Sequence, residues 1–178
     1  MKNEKEVKII ESNIQIYLKD GLFKRGEYAH LTEFYLRTAK KTLQTSDALM
    51  QVSESNELKG KLGLLGDFET YLWVVTTSYY SMFYIVNALL SKNGIRIGDK
   101  IAHKVASDVF YFYFIKNNKI AKELFEIYEE AKGSAMDLIH YSEQAEKLFQ
   151  SLEYEREKRH KFQYQKNDAP PHLKMYGL

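Results

Sequence analysis

Six residues separate Arg96 from His103, and four basic residues stand against one acid, Asp99, across residues 92–104. A guanidinium that stays charged at every working pH suits a phosphate, and an imidazole can take or give a proton near neutrality. The pair flanks the junction between two expected helices, with His103 on the first turn of the second. A helix N-terminus there favours a bound phosphate and disfavours the imidazolium, so a neutral His103 can act as a base. The competing reading is a solvated arginine and a histidine packed against a bundle. Lys100 and Lys104 beside the pair are candidate substrate contacts. A second basic cluster runs Arg156-Glu-Lys-Arg159-His160-Lys161-Phe162-Gln-Tyr164. Arginines with an interleaved aromatic suit a nucleic-acid backbone and a stacked base, although such runs are also common as solvated helix faces.

Other chemistries find no support. The 178 residues include no cysteine, which excludes disulfides, thiolate metal sites and cysteine nucleophiles. There is no phosphate loop, no Gly-x-Gly-x-x-Gly after a strand and no His-Glu-x-x-His. The five histidines lie far apart, so neither a metal nor another cofactor is expected. A net charge of +2 does not by itself announce a nucleic-acid binder. No apolar run approaches the roughly 20 residues of a membrane span. The polar N-terminus shows no secretory signal, so a cytoplasmic protein without membrane contact is expected.

The elements that must position these residues read as helices. Residues 4–20 carry Val7, Ile10, Ile14 and Leu18 on one face, and residues 32–52 carry Tyr35, Ala39, Leu43 and Met50. The glycine-bearing stretch 53–66 reads as a loop. Residues 67–92 carry two adjacent apolar stripes, the pattern of a central helix. The connector 91–100 has glycine near each end and Asp99 placed to cap a helix starting near Lys100. Phe110-Tyr111-Phe112-Tyr113-Phe114 would suit a buried strand, but the surrounding beat favours helix. Asn117-Asn118 makes a turn, and residues 119–165 keep a helical period through Leu124, Tyr128, Ala131, Ala135 and Leu138. Tyr79-Tyr80 and the Phe110–Phe114 run read as core and subunit interface rather than as a base-stacking platform. The expected architecture is an all-α up-and-down bundle of about five helices: one domain over residues 1–165 and an extended tail over 166–178.

At Ser78-Tyr79-Tyr80-Ser81-Met82-Phe83, then Asn87-Ala88-Leu89-Leu90, then Gly94, Arg96 and His103, the sequence resembles the HEPN superfamily. Arg159 with Tyr164 five positions on is similar to a second feature of that family. The resemblance covers roughly residues 32–165. It implies a small helical bundle and a homodimer in which two Arg/His motifs meet in one composite, metal-independent ribonuclease site. Arg96 and His103 would be catalytic, with His103 as general base or acid for attack by the RNA 2′-hydroxyl and Arg96 on the phosphate. Lys100, Lys104, Arg159 and Tyr164 would bind substrate. Products would end in a 2′,3′-cyclic phosphate, and DNA would not be cut. The toxin branch is neutralised by a nucleotidyltransferase partner acting on a tyrosine two residues past the histidine; this chain has Val105 there. Ile97 replaces the polar residue that often follows the arginine. These departures support an alternative, a catalytically inactive module that binds a nucleotide or a nucleotidyltransferase partner. A plain helical dimerisation protein is a third reading.

Overall fold

A computed structural model describes the backbone over residues 3–165 and the side chains over residues 3–141, 143–144 and 147. The all-α bundle forms, with a two-stranded ladder inserted in it. Two compact units divide within the last helix, Met1–Leu138 and Ile139–Leu178. The tail 166–178 lies outside the described residues. None of the helices described is long and apolar enough to cross a membrane.

Helix α1, Glu4–Lys19, opens on a capping box. The Asn3 side chain accepts from the Glu6 N–H at 2.9 Å, and Glu6 accepts from the Asn3 N–H at 2.7 Å. Its buried face is Ile10, Ile14 and Tyr17, and Leu18, expected on that face, is exposed. The Tyr17 hydroxyl and the Asn13 amide donate to Asp108 at 2.9 and 3.1 Å, tying α1 to the later helix α5. Strand β1, Phe23–Arg25, follows at once.

Helix α2, Thr32–Glu54, buries Ala39, Ser46 and Ser53, while Leu43 and Met50 of the expected apolar stripe face outward. Of the expected stripe, Ala39 is buried as read, whereas Leu43 and Met50 depart from the expectation. The reason is the antiparallel partner, α4, Tyr71–Lys92. Small residues let the two backbones approach closely enough for hydroxyls to bridge them. Ser81 donates to the Ala39 carbonyl at 2.9 Å, and Ser46 donates to the Val74 carbonyl at 3.0 Å and meets the Ser78 hydroxyl at 2.7 Å. Ser53 meets Thr70 at 2.9 Å, and Thr32 meets Ser91 at 3.2 Å. Between α2 and α4 the stretch expected as loop holds a short helix, α3, Asn56–Lys61, capped by the Ser55 hydroxyl.

The connector after α4 also differs from expectation, because it contains strand β2, Ile95–Ile97. It pairs antiparallel with β1, placing Phe23 opposite Ile97, Lys24 opposite Arg96 and Arg25 opposite Ile95. The two flanking glycines now have a reason. Gly94 sits at φ +73°, and a Cβ there would lie 2.7 Å from the Gly26 carbonyl oxygen. At Gly98 a Cβ would meet the Leu22 oxygen at 3.1 Å.

Helix α5, Ala102–Phe110, is buried along most of its length and runs into a π-helical turn, Tyr111–Ile115. The aromatic run is therefore helical. The Lys116 N–H reaches back five residues to the Tyr111 carbonyl at 2.9 Å, and this wider winding leaves Phe110, Phe114 and Ile115 all buried. Helix α6, Lys122–Gln165, adds Phe125, Tyr128 and Ala135 to the core of the first unit. Leu124, expected on that face, is exposed.

Candidate functional site: a basic cleft and an aromatic nest

Strand alternation sets the direction of Arg96. Ile95 and Ile97 are buried and Arg96 between them is exposed. Ile97 packs into the core opposite Phe23, so the residue after the arginine is committed to packing, where a polar side chain would lose its water. Lys24 lies directly across the ladder from Arg96. Like charges so placed destabilise an antiparallel pair by a few tenths of a kcal/mol. Neither forms an ion pair among the described residues. Both line a cleft of ≈ 430 Å³ together with Lys100, Asp20 and Asp99. Three cations against two carboxylates leave an excess of positive charge suited to an anion.

The junction that follows is strained. Asp99, expected as the cap of α5, is not the cap; that position belongs to Ile101, which has φ 45° and makes no side-chain capping bond. A β-branched residue in the left-handed region is uncommon, at a cost of about 1–3 kcal/mol, and such strain clusters at functional sites. Ile101 is also 57% exposed.

His103, two residues on, enters a different environment. Its ring packs 4.4 Å from Phe83, centroid to centroid, and 5.4 Å from both Tyr79 and Tyr80. Nδ1 is hydrogen-bonded to the Tyr79 hydroxyl at 2.6 Å. No hydrogen bond reaches Nε2 among the described residues. Burial lowers the His103 pKa below the usual histidine value, and the Lys132 charge lowers it further. The neutral ring expected from sequence is thus favoured, but its main cause is desolvation. Tyr79 is fully buried, and burial raises the pKa of its phenol well above the ordinary value. The Tyr128 ring lies 6.0 Å from that of Tyr79, with its hydroxyl buried. One turn past His103, Ser107 donates to Glu129, which also pairs with Lys132 at 2.5 Å.

Within one chain, Arg96 and Lys100 share the cleft. His103 does not line it, and no hydrogen bond joins His103 to Arg96. Lys104 is exposed one residue beyond. Arg159 and Tyr164 fall on α6, but their side chains lie outside the described ones. Sequence reasoning missed Lys24, Lys132 and the polar role of Tyr79. Lys24 sits in a three-residue strand whose partner is far along the chain, and no local pattern marks it. Among the described residues no group of three or more ionisable side chains could hold a metal ion.

Fold and site together define a helical-bundle protein with a basic cleft beside a half-buried histidine. No family model and no solved structure matches the chain. Over 97 residues it is 33% identical to a protein of Methanocaldococcus jannaschii named "Putative toxin MJ0142". The match covers 54% of this chain and 58% of that relative, so the chain spans little more than half the relative's length.

Proposed function

We propose that this chain is an endoribonuclease of HEPN type, acting as a homodimer and belonging to a toxin-type system. The observation that carries the reading is the Gly94–His103 segment. It delivers an exposed arginine to a basic cleft and, seven positions on, a histidine favoured in its neutral form. The toxin named in M. jannaschii supports the physiological class. Apolar side chains turned to the surface on both α2 and α4, Leu43 at 48% and Trp73 at 58% exposure, support a second copy as partner.

In this reaction Arg96 holds the non-bridging phosphate oxygens and stabilises the charge that grows on them. His103 of one subunit removes the 2′-hydroxyl proton through Nε2. The 2′-oxygen bonds to phosphorus as the bond to the 5′-oxygen breaks. That leaving oxygen takes a proton from protonated His103 of the partner subunit, and the products are a 2′,3′-cyclic phosphate and a 5′-hydroxyl. DNA lacks the attacking group. Purified protein in EDTA should cleave RNA to cyclic-phosphate ends, and His103→Ala or Arg96→Ala should each slow cleavage about 10²- to 10⁴-fold. Cleavage that survives both substitutions would reject the assignment.

One observation favours a second reading. Arg96 and His103 are not joined within a chain, and Val105, where the toxin branch carries its modified tyrosine, is fully buried. A protein that binds RNA or a nucleotide in the cleft, works with a nucleotidyltransferase partner and does not cleave is the alternative. Binding without cleavage by the unaltered protein would select it.

A further inference from the structure

The hydroxyl that meets His103 belongs to a tyrosine with no freedom to move. Tyr79 is 0% exposed, and its ring is walled by Tyr80, Phe83 and Tyr128 at 5.6, 6.4 and 6.0 Å. Its Oη stands 2.6 Å from His103 Nδ1. Phe83 and Tyr80 press on the imidazole from α4 as well. A buried tyrosine hydroxyl is usually paired, so this contact could be packing that happens to be satisfied. Two features say more. The partner atom is one of two titrating nitrogens of the half-buried histidine at the candidate site. The next hydroxyl inward, that of Tyr128, is buried beside Tyr79 and acts on its phenol, so it offers Tyr79 a polar neighbour but no charge.

We propose that Tyr79 is the positioning residue of the His103 site: it occupies Nδ1 and so turns Nε2 outward as the single nitrogen that can meet a substrate. The inference rests on the nuclease reading for its consequence, but not for its test. A histidine's second nitrogen is commonly fixed by a carboxylate or a backbone carbonyl, which only accept and so favour the imidazolium. A tyrosine hydroxyl both gives and takes a hydrogen bond. It donates to Nδ1 when Nε2 carries the only proton, and it accepts from Nδ1–H when Nε2 is bare or when the ring is cationic. The same fixed hydroxyl therefore serves His103 before and after it takes a proton, without placing a negative charge beside it. The other titratable groups around the ring are Tyr80 on α4 and Lys132, paired with Glu129, on α6. Of these, Lys132 opposes the cation.

The test is a ¹⁵N titration of the His103 ring in the unaltered full chain and in Tyr79→Phe, with Tyr128→Phe as a control from the same core. In the unaltered protein Nδ1 should be shielded from solvent exchange and Nε2 open to it. A hydrogen bond from the cationic ring is worth roughly twice a neutral one, so its loss in Tyr79→Phe should lower the midpoint by up to about one pH unit. Tyr128→Phe should leave the midpoint in place. On RNA, Tyr79→Phe should reduce kcat about tenfold with KM within about twofold. An open Nδ1 in the unaltered protein would overturn the proposal even if Tyr79→Phe failed to fold, and so would a folded Tyr79→Phe whose ring titrates unchanged. A protein with the expected ring signals that cuts no RNA would sink the nuclease reading and leave the positioning role standing.

Discussion

The basic cleft and the aromatic nest are fed by one ten-residue segment, Gly94 to His103, and they treat charge in opposite ways. On the cleft side Arg96 faces water from a two-stranded ladder, opposite a second cation and without an ion pair among the described residues. On the nest side His103 is pressed among three aromatic rings, and burial favours its neutral form. Phosphate binding needs a permanent charge that a ligand can reach. Proton transfer needs a group whose charge is costly enough to be temporary. Short range in sequence thus separates two dielectric environments, and the strained Ile101 stands between them.

The comparison can be broken first at the ladder. Gly94→Ala puts a methyl against the Gly26 carbonyl and asks alanine for a positive φ. A loss of about 3 kcal/mol is expected in urea unfolding. RNA binding should fall with it, because the strand that aims Arg96 is disturbed. The junction comes next. Ile101→Gly relieves left-handed strain and should stabilise the chain by about 1 kcal/mol, while loosening the segment that relates cleft to nest. A lower cleavage rate together with a higher melting temperature would mark that strain as functional.

A smaller effect is expected for Lys24→Gln. Removing the like charge opposite Arg96 should raise stability by a few tenths of a kcal/mol and weaken RNA binding a few-fold. The slope of log K against log salt should become shallower by about 0.7, as expected for one lost phosphate contact to a single strand. Lys104, exposed outside the cleft lining, should matter less.

The smallest effect concerns the nest alone. The folded His103 pKa lies below its usual 6.5, so the unfolded chain binds the proton more readily. Stability from this group is fully present above 6.5 and is lost as pH falls through the window down to the folded pKa. Melting temperature should decline over that window in the unaltered protein and decline less in His103→Gln.

Much of this layout was legible in the sequence. The apolar stripes of residues 67–92 are those of a central helix, and the Gly94–Gly98 bracket around Arg96 marked the place where the chain turns. What escaped has physical causes. β1 is three residues long and owes its existence to a partner some 70 residues away, a pairing that no local period encodes. The packing face of α2 was assigned to Tyr35, Ala39, Leu43 and Met50, because hydrophobicity was taken to decide which side is buried. Ala39 is buried as read, but Ser46 and Ser53 are buried in place of Leu43 and Met50, because hydroxyl-to-carbonyl bonds across a close helix pair reward small side chains. Tyr79 was read as packing, and it is that. Its hydroxyl is also the partner of His103, which only the three-dimensional arrangement of α4 and α5 reveals.

Because the proposed reaction uses His103 of both subunits in one site, mixing subunits tests it most directly. Unaltered and His103→Ala proteins are combined in equal amounts, allowed to exchange and assayed on RNA in EDTA, with mixed dimers counted by native mass spectrometry. Half of the dimers should be mixed, each holding a single His103 and cutting little RNA, so roughly a quarter of the rate of fully unaltered protein is expected. A monomeric protein, or a rate of half or more, would contradict a site shared between two copies.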